Sequence, residues 1–162
     1  MKSLLFFSTV FCLSFLGYRQ AEAARLPANI GIVAEFEMLP GFVIDPAIVK
    51  ITVFASGVAT KQIKYLKENV TTSFALARMQ PHRIVALRKS ITKIHAGDLI
   101  DIDAGGPICS DMPVLTWSVR KSTGSTVVIS KAEACHRYEM PDSDEARGIK
   151  RFLEGLQALG DF

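Results

Sequence analysis

The sequence has no excess of one sign of charge, because its 19 lysines and arginines are nearly matched by 16 aspartates and glutamates. Proteins that bind nucleic acids or membrane surfaces usually carry clustered positive charge, so we expect no nucleic acid partner. The sequence also has no internal repeats, coiled-coil heptads or low-complexity tracts. What remains is a chain of 162 residues, 49% of them hydrophobic, a composition typical of one globular domain.

No hydrophobic run predicts a stable membrane span. The N-terminal run from Leu4 to Leu16 rises about 20 Å as a helix, against a bilayer hydrocarbon core of about 30 Å. Lys2 precedes this run, and Ala21-Glu22-Ala23 has the small-x-small form of a signal-peptidase site. We therefore expect residues 1–23 to be a signal peptide and residues 24–162 to form a single exported domain, periplasmic or secreted.

Cysteine is scarce, and its three positions allow one disulfide in the exported chain. Cys12 lies in the signal peptide, which leaves Cys109 and Cys135 as a pair. Paired cysteines in an oxidising compartment usually form a disulfide. The alternative is two buried thiols.

Six segments are predicted to be β-strands, and two of them, residues 32–38 and 49–53, alternate hydrophobic and polar residues with the two-residue period of half-buried strands. Turn-forming residues separate them, such as Ser56-Gly57 and the loop from Lys121 to Gly124. The stretch from Phe74 to Ala77 would fit a helix equally well. The predicted strands are residues 32–38, 49–53, 58–66, 70–78, 114–120 and 125–131.

Two helices are predicted from hydrophobic spacing and terminal signals. The first begins at Pro81, repeats isoleucine and leucine at helical spacing, and has Gly97 at the expected C-terminal cap. The second has Asp142 and Glu145 in capping-box spacing and ends near Gly160. Each has one hydrophobic stripe and one charged face, so each is expected to pack on one side of a sheet.

These elements predict an α+β fold, with an antiparallel sheet of about five or six strands, two amphipathic helices packed on it and one disulfide. Regular βαβ alternation, which would indicate a parallel sheet, is absent from the sequence. In the last hairpin, a register with Leu115 opposite Ile129 would place large side chains on one face. That register also places Cys109 opposite Cys135, so we expect the disulfide to staple the open end of this hairpin.

The chemistry-bearing residues form no recognised metal site. Asp101, Asp103 and Gly106 match part of a calcium-binding EF-hand loop, but Gly105 and Met112 stand where two of its ligands belong. We therefore expect these aspartates to be solvated or to cap turns. Neither a metal nor another cofactor is expected.

The three histidines do not indicate a catalytic centre. His82 and His95 lie on widely separated faces of the first predicted helix, and His136 follows a cysteine whose thiol the disulfide removes. No nucleophile elbow is present in the sequence. Asn69 begins an Asn-Val-Thr glycosylation sequon, which has meaning only in a eukaryotic source.

The segment from Gly105 to Pro113 is the candidate binding site. It combines glycines, prolines, a cysteine tether and a hydrophobic methionine, which is typical of a rigid surface loop that contacts a partner. The alternative is a connecting loop whose methionine packs inward. The candidate binding residues are Gly105, Gly106, Asp111, Met112 and Pro113.

The Cys-x-x-Met stretch that leads from Cys109 into the next strand resembles the reactive loop of the bacterial subtilisin inhibitors, which are small exported α+β proteins. The resemblance covers residues 109 to about 135, and the second disulfide of that family is absent from this sequence. It therefore does not identify the family.

Three functions follow from these observations as hypotheses. The first is a noncatalytic exported accessory or binding protein whose partner is a protein or small ligand in an extracytoplasmic compartment. The second is a proteinase inhibitor that presents the disulfide-tethered loop 109–113. The third is a small hydrolase with an unrecognised site.

Overall fold

The computed structural model describes residues 31–141 and 143–159. The predicted signal peptide, Asp142 and Gly160 lie outside these ranges. The described elements are β1 (Ile32–Leu39), β2 (Ala47–Phe54), β3 (Val58–Tyr65), β4 (Val70–Arg78), α1 (Pro81–Lys93), β5 (Ile100–Asp101), β6 (Val114–Arg120), β7 (Thr126–Glu133), β8 (His136–Glu139) and α2 (Asp144–Ala158).

The strands form one antiparallel sheet in the order β4-β3-β2-β1-β6-β7-β8-β5. The predicted α+β class, the two helices and the six predicted strands are confirmed, including the strand choice for β4. The expected five or six strands are too few, since the described residues form eight. The missed strands are the short β5 and β8. The turn before β8 consists of Ala134 and Cys135 with φ of 51° and 69°, positions where asparagine or glycine usually signals a hairpin.

The two helix ends differ from their predicted caps. Helix α1 ends at Lys93, with Ile94 as its C-cap, so the prediction that Gly97 caps it is wrong. The Lys121 ammonium donates hydrogen bonds to the carbonyl oxygens of Ile91 (3.0 Å) and Ile94 instead. Helix α2 begins after Ser143, whose Oγ accepts a hydrogen bond from the backbone N–H of Ala146 at 3.1 Å.

The register of the β6–β7 hairpin also differs from the prediction. Val119 pairs with Val127, and a bulge between Trp117 and Ser118 shifts the rest, so that Leu115 lies opposite Ala132 rather than Ile129. The tight turn sets this register, because the backbone N–H of Lys121 donates to the Ser125 carbonyl at 2.9 Å.

One face of the sheet carries the hydrophobic core beneath the helices. Phe36 and Trp117 lie on neighbouring central strands with ring centroids 5.3 Å apart, and fully buried Leu153 of α2 belongs to the same core. The Lys150 ammonium lies 5.2 Å from the Trp117 ring centroid and also binds Glu139 at 2.7 Å. Neither helix within the described residues is long and apolar enough to cross a bilayer.

Candidate functional site

The segment between β5 and β6, residues 102–113, lies at the end of the sheet where β1 finishes, because Leu39 pairs with Val114. The predicted disulfide between Cys109 and Cys135 is present. The backbone N–H of Cys109 also donates to the Ala134 carbonyl at 3.1 Å. The prediction that the two cysteines lie opposite each other in the β6–β7 ladder is wrong. The bridge instead ties the middle of this loop to the β7–β8 turn.

The start of the loop is fixed on β8 by two aspartates. His136 Nδ1 donates to Asp101 Oδ2 at 2.7 Å, and Asp101 Oδ1 accepts from the backbone N–H of Asp103 at 3.0 Å. The Arg137 guanidinium donates to Asp103 at 2.8 and 3.0 Å, and the Arg137 backbone N–H donates to it as well. The hydrogen bond from the Arg137 side chain lowers the pKa of Asp103 and raises the pKa of Arg137.

This arrangement gives both candidate calcium-ligating aspartates protein partners. Asp101 caps the turn that begins the loop, and Asp103 holds Arg137. Within residues 31–141 and 143–159, no group of three or more histidine, cysteine, aspartate or glutamate side chains could hold a metal ion.

The structure places the five candidate binding residues along the outer part of this loop. Gly105 has φ of 88° and Asp111 has φ of 69°, so the chain turns at both positions. Gly106 donates its backbone N–H to the Asp103 carbonyl at 2.9 Å. Met112 is 50% exposed, so half of its side-chain surface faces solvent. Pro113 is partly buried and leads directly into β6.

A second loop, residues 40–46 between β1 and β2, lies against the first. A Cβ on Gly41 would lie only 2.1 Å from the carbonyl oxygen of Asp111 and 2.9 Å from the carbonyl carbon of Met112. The same loop exposes Phe42 (89%) and Ile44 (85%). Sequence analysis missed this loop, although Phe42-Val43-Ile44 is a hydrophobic run between turn-forming residues.

The two touching loops together display several exposed hydrophobic side chains. The most exposed of the 102–113 segment is Ile108, at 83%. Residues 40–46 and 102–113 contain three aspartates and no lysine or arginine. We call this region the loop surface and define it by Leu39, Phe42, Val43, Ile44, Ile108 and Met112.

The histidines have no catalytic arrangement within the described residues. His82 and His95 are exposed, and neither has a hydrogen-bonded partner there. His136 is oriented by Asp101 as a general base would be, but its Nε2 atom is buried without a hydrogen-bond partner. Its neighbour Cys135 is oxidised, so no nucleophile is available from that residue.

No family model matches this chain, and no curated protein sequence matches it.

Proposed function

We propose that this protein is a noncatalytic exported binding protein that engages a partner protein through the loop surface. One observation carries the proposal: Phe42, Ile44 and Ile108 are each more than four-fifths exposed on two loops that touch. Clustered exposed hydrophobic side chains are costly in water and usually mark an interaction site. The disulfide and the N-terminal sequence support an oxidising compartment outside the cytoplasm.

The two loops are anchored to the rest of the fold, and this supports a role in binding for their exposed hydrophobic side chains. The disulfide holds the middle of loop 102–113, and the Asp103–Arg137 ion pair holds its start. Gly41 brings the second loop into backbone contact with Asp111. A surface that is already ordered loses less conformational entropy when a partner binds, so its hydrophobic contacts convert more fully into affinity.

The charge of the loops indicates the chemistry of the partner. The two loops contain no lysine or arginine of the kind that an anionic membrane surface attracts. Asp45 and Asp103 pair with Lys67 and Arg137 at 2.9 and 2.8 Å, so Asp111 is the loop carboxylate without an ion-pair partner among the described residues. Asp45 and Asp111 are exposed beside the hydrophobic side chains. The complementary partner is a protein with a hydrophobic groove whose edge accommodates the exposed Asp111 carboxylate.

The backbone favours this function over proteinase inhibition. Recognition of an extended segment needs β-region backbone through the segment, whereas Asp111 has φ of 69° immediately before Met112. The inhibitor hypothesis therefore remains as the competing outcome of the experiment.

The experiment begins with capture of partners from the exported fraction of the native source, followed by titration of each purified candidate. Phe42→Asp and Ile108→Asp should each weaken binding at least tenfold, because a charge replaces a buried contact. Val85→Asp is the matched control, since Val85 is 66% exposed on α1 and lies outside the loops. Circular dichroism checks that each variant is folded.

Three results would contradict the proposal. One is equal binding by Phe42→Asp, Ile108→Asp and Val85→Asp. Another is binding to anionic lipid vesicles with no protein partner. The third is stoichiometric inhibition of a serine proteinase that is lost on Met112→Asp, which would support the inhibitor instead.

A further inference from the structure

A groove of about 940 Å³ lies at the other end of β1 from the loop surface. Its walls are the first residues of β1, one side of α1 and the turn between β6 and β7. Arg88 comes from α1, Arg120 ends β6, and Lys121 begins the turn. The volume lies in the range of small-molecule sites in proteins.

The lining of this groove is cationic. It contains Arg88, Arg120 and Lys121 and no aspartate or glutamate. Lys121 is occupied, because its ammonium binds the last carbonyl oxygens of α1. By neutralising the negative end of that helix, Lys121 removes a charge that would otherwise oppose an anion in the groove.

The two arginines are unpaired. Neither Arg88 nor Arg120 has a salt bridge or side-chain hydrogen bond within the part of the chain that the structure describes, and the Nε atom of Arg120 is buried without a partner. Among the other described arginines, Arg137 and Arg147 have carboxylate partners at 2.8 and 2.7 Å. The other described arginines without a carboxylate partner are Arg78, Arg83 and Arg151. Arg120 differs from those three in that its Nε atom is buried. Leaving a buried donor unpaired costs free energy, and two arginines without acid partners in one groove create an excess of positive charge there.

The remaining lining combines hydroxyl groups with hydrophobic surface. Thr92 and three hydroxyl residues of the turn, Ser122, Thr123 and Ser125, supply neutral hydrogen-bonding groups, whereas Ile91 and the start of β1 supply hydrophobic wall. Guanidinium groups are suited to carboxylate, phosphate and sulfate groups. We propose that this groove binds a small organic anion, with an oxyanion group at Arg88 and Arg120 and a hydrophobic body against Ile32 at the start of β1.

The test is calorimetric titration of the purified protein with hexyl phosphate and hexanoate, with 1-hexanol as the uncharged probe. At least one anion should bind with a dissociation constant of about 0.1–1 mM, as expected for a ligand of this size. The alcohol should bind at least tenfold more weakly. Arg88→Ala should weaken anion binding about tenfold, while Lys89→Ala, which changes the neighbouring exposed cation outside the groove lining, should leave it unchanged.

Two outcomes would overturn the proposal. They are the absence of binding by either anion up to about 10 mM, and equal anion binding by Arg88→Ala and Lys89→Ala. Arg88 is exposed, so its substitution keeps the test valid even if an Arg120 variant does not fold. Chemical-shift changes on hexyl phosphate addition should fall at Thr92 and the β6–β7 turn, a readout that does not depend on the loop surface or its partner.

Discussion

Gly41 lies where the two loops of the loop surface touch, and the backbone of Asp111 and Met112 leaves no room there for a side chain. Gly41→Ala should therefore push the loops apart and lower the free energy of unfolding by about 1–3 kcal/mol, as overpacking usually does. Gly97→Ala is the control, because a Cβ at Gly97 meets nothing within 4 Å. Urea unfolding of both variants measures the difference. Equal free energies of unfolding for the two variants would show that the loops move apart without a loss of stability.

Asp103 should contribute to the acid sensitivity of the fold. The Arg137 side chain lowers the pKa of Asp103 in the folded state, so the stabilisation is present above the unfolded pKa and is lost as pH falls through the lower folded value. Asp103→Asn should thus be less stable than the parent near pH 6, and the difference should shrink towards pH 2. Thermal melting between pH 2 and pH 6 tests this. A constant difference across that range would show that Asp103 acts through packing alone.

Lys121 joins the β6–β7 turn to the end of α1, so the position of that helix depends on a side chain remote from it in sequence. Lys121→Met should lower the free energy of unfolding by about 1–2 kcal/mol, because hydrogen bonds from a charged donor to terminal carbonyls are lost. Lys89→Met, on the exposed side of α1, should change little. Hydrogen exchange should also speed up near Ile94 in the Lys121 variant only. Similar hydrogen-exchange rates near Ile94 in both variants would show that Lys121 does not stabilise the end of α1.

The elements that sequence analysis located are those whose signals are local. Alternation identified β1 and β2 because one face of each strand is buried and the other is polar. The end of α1 was misplaced because its carbonyls are satisfied by Lys121, which no spacing within the helix could indicate. The predicted hairpin register was already two residues off at the turn, where Val119 rather than Trp117 pairs with Val127. The bulge at Trp117 and Ser118, which no glycine or proline marks, adds one more residue.

The disulfide should matter to the stability of the whole protein. It joins residues 26 positions apart, and in the chain-entropy treatment a bridge of this span stabilises by about 3.5 kcal/mol. The double variant Cys109→Ser/Cys135→Ser should melt at a lower temperature than the oxidised parent. Reductant should lower the melting temperature of the parent and leave that of the double variant unchanged. Identical melting temperatures for the oxidised parent and the double variant would show that the disulfide does not stabilise the protein.

The candidate site was only half predictable because its two loops meet through long-range pairing. The predicted export signal and the cysteine count indicated loop 102–113 and its disulfide. Loop 40–46 lies against loop 102–113 because Leu39 pairs with Val114. No residue near Leu39 or Val114 in the sequence indicates that these two strands pair. The cationic groove was missed for the same reason, since Arg88 and Arg120 come from segments that are brought together by the completed fold.

The pairing of β1 with β6 has a consequence for the order in which this protein folds. Strands β1–β4 pair with their successors in the chain, as do β6–β8, and the β1–β6 ladder is the seam between these two blocks. Local hairpins close quickly, whereas a seam between distant segments closes late, because a long loop must first be ordered. Both the loop surface and the groove draw residues from each side of the seam. The loop surface and the groove therefore reach their final geometry only after the β1–β6 ladder has formed.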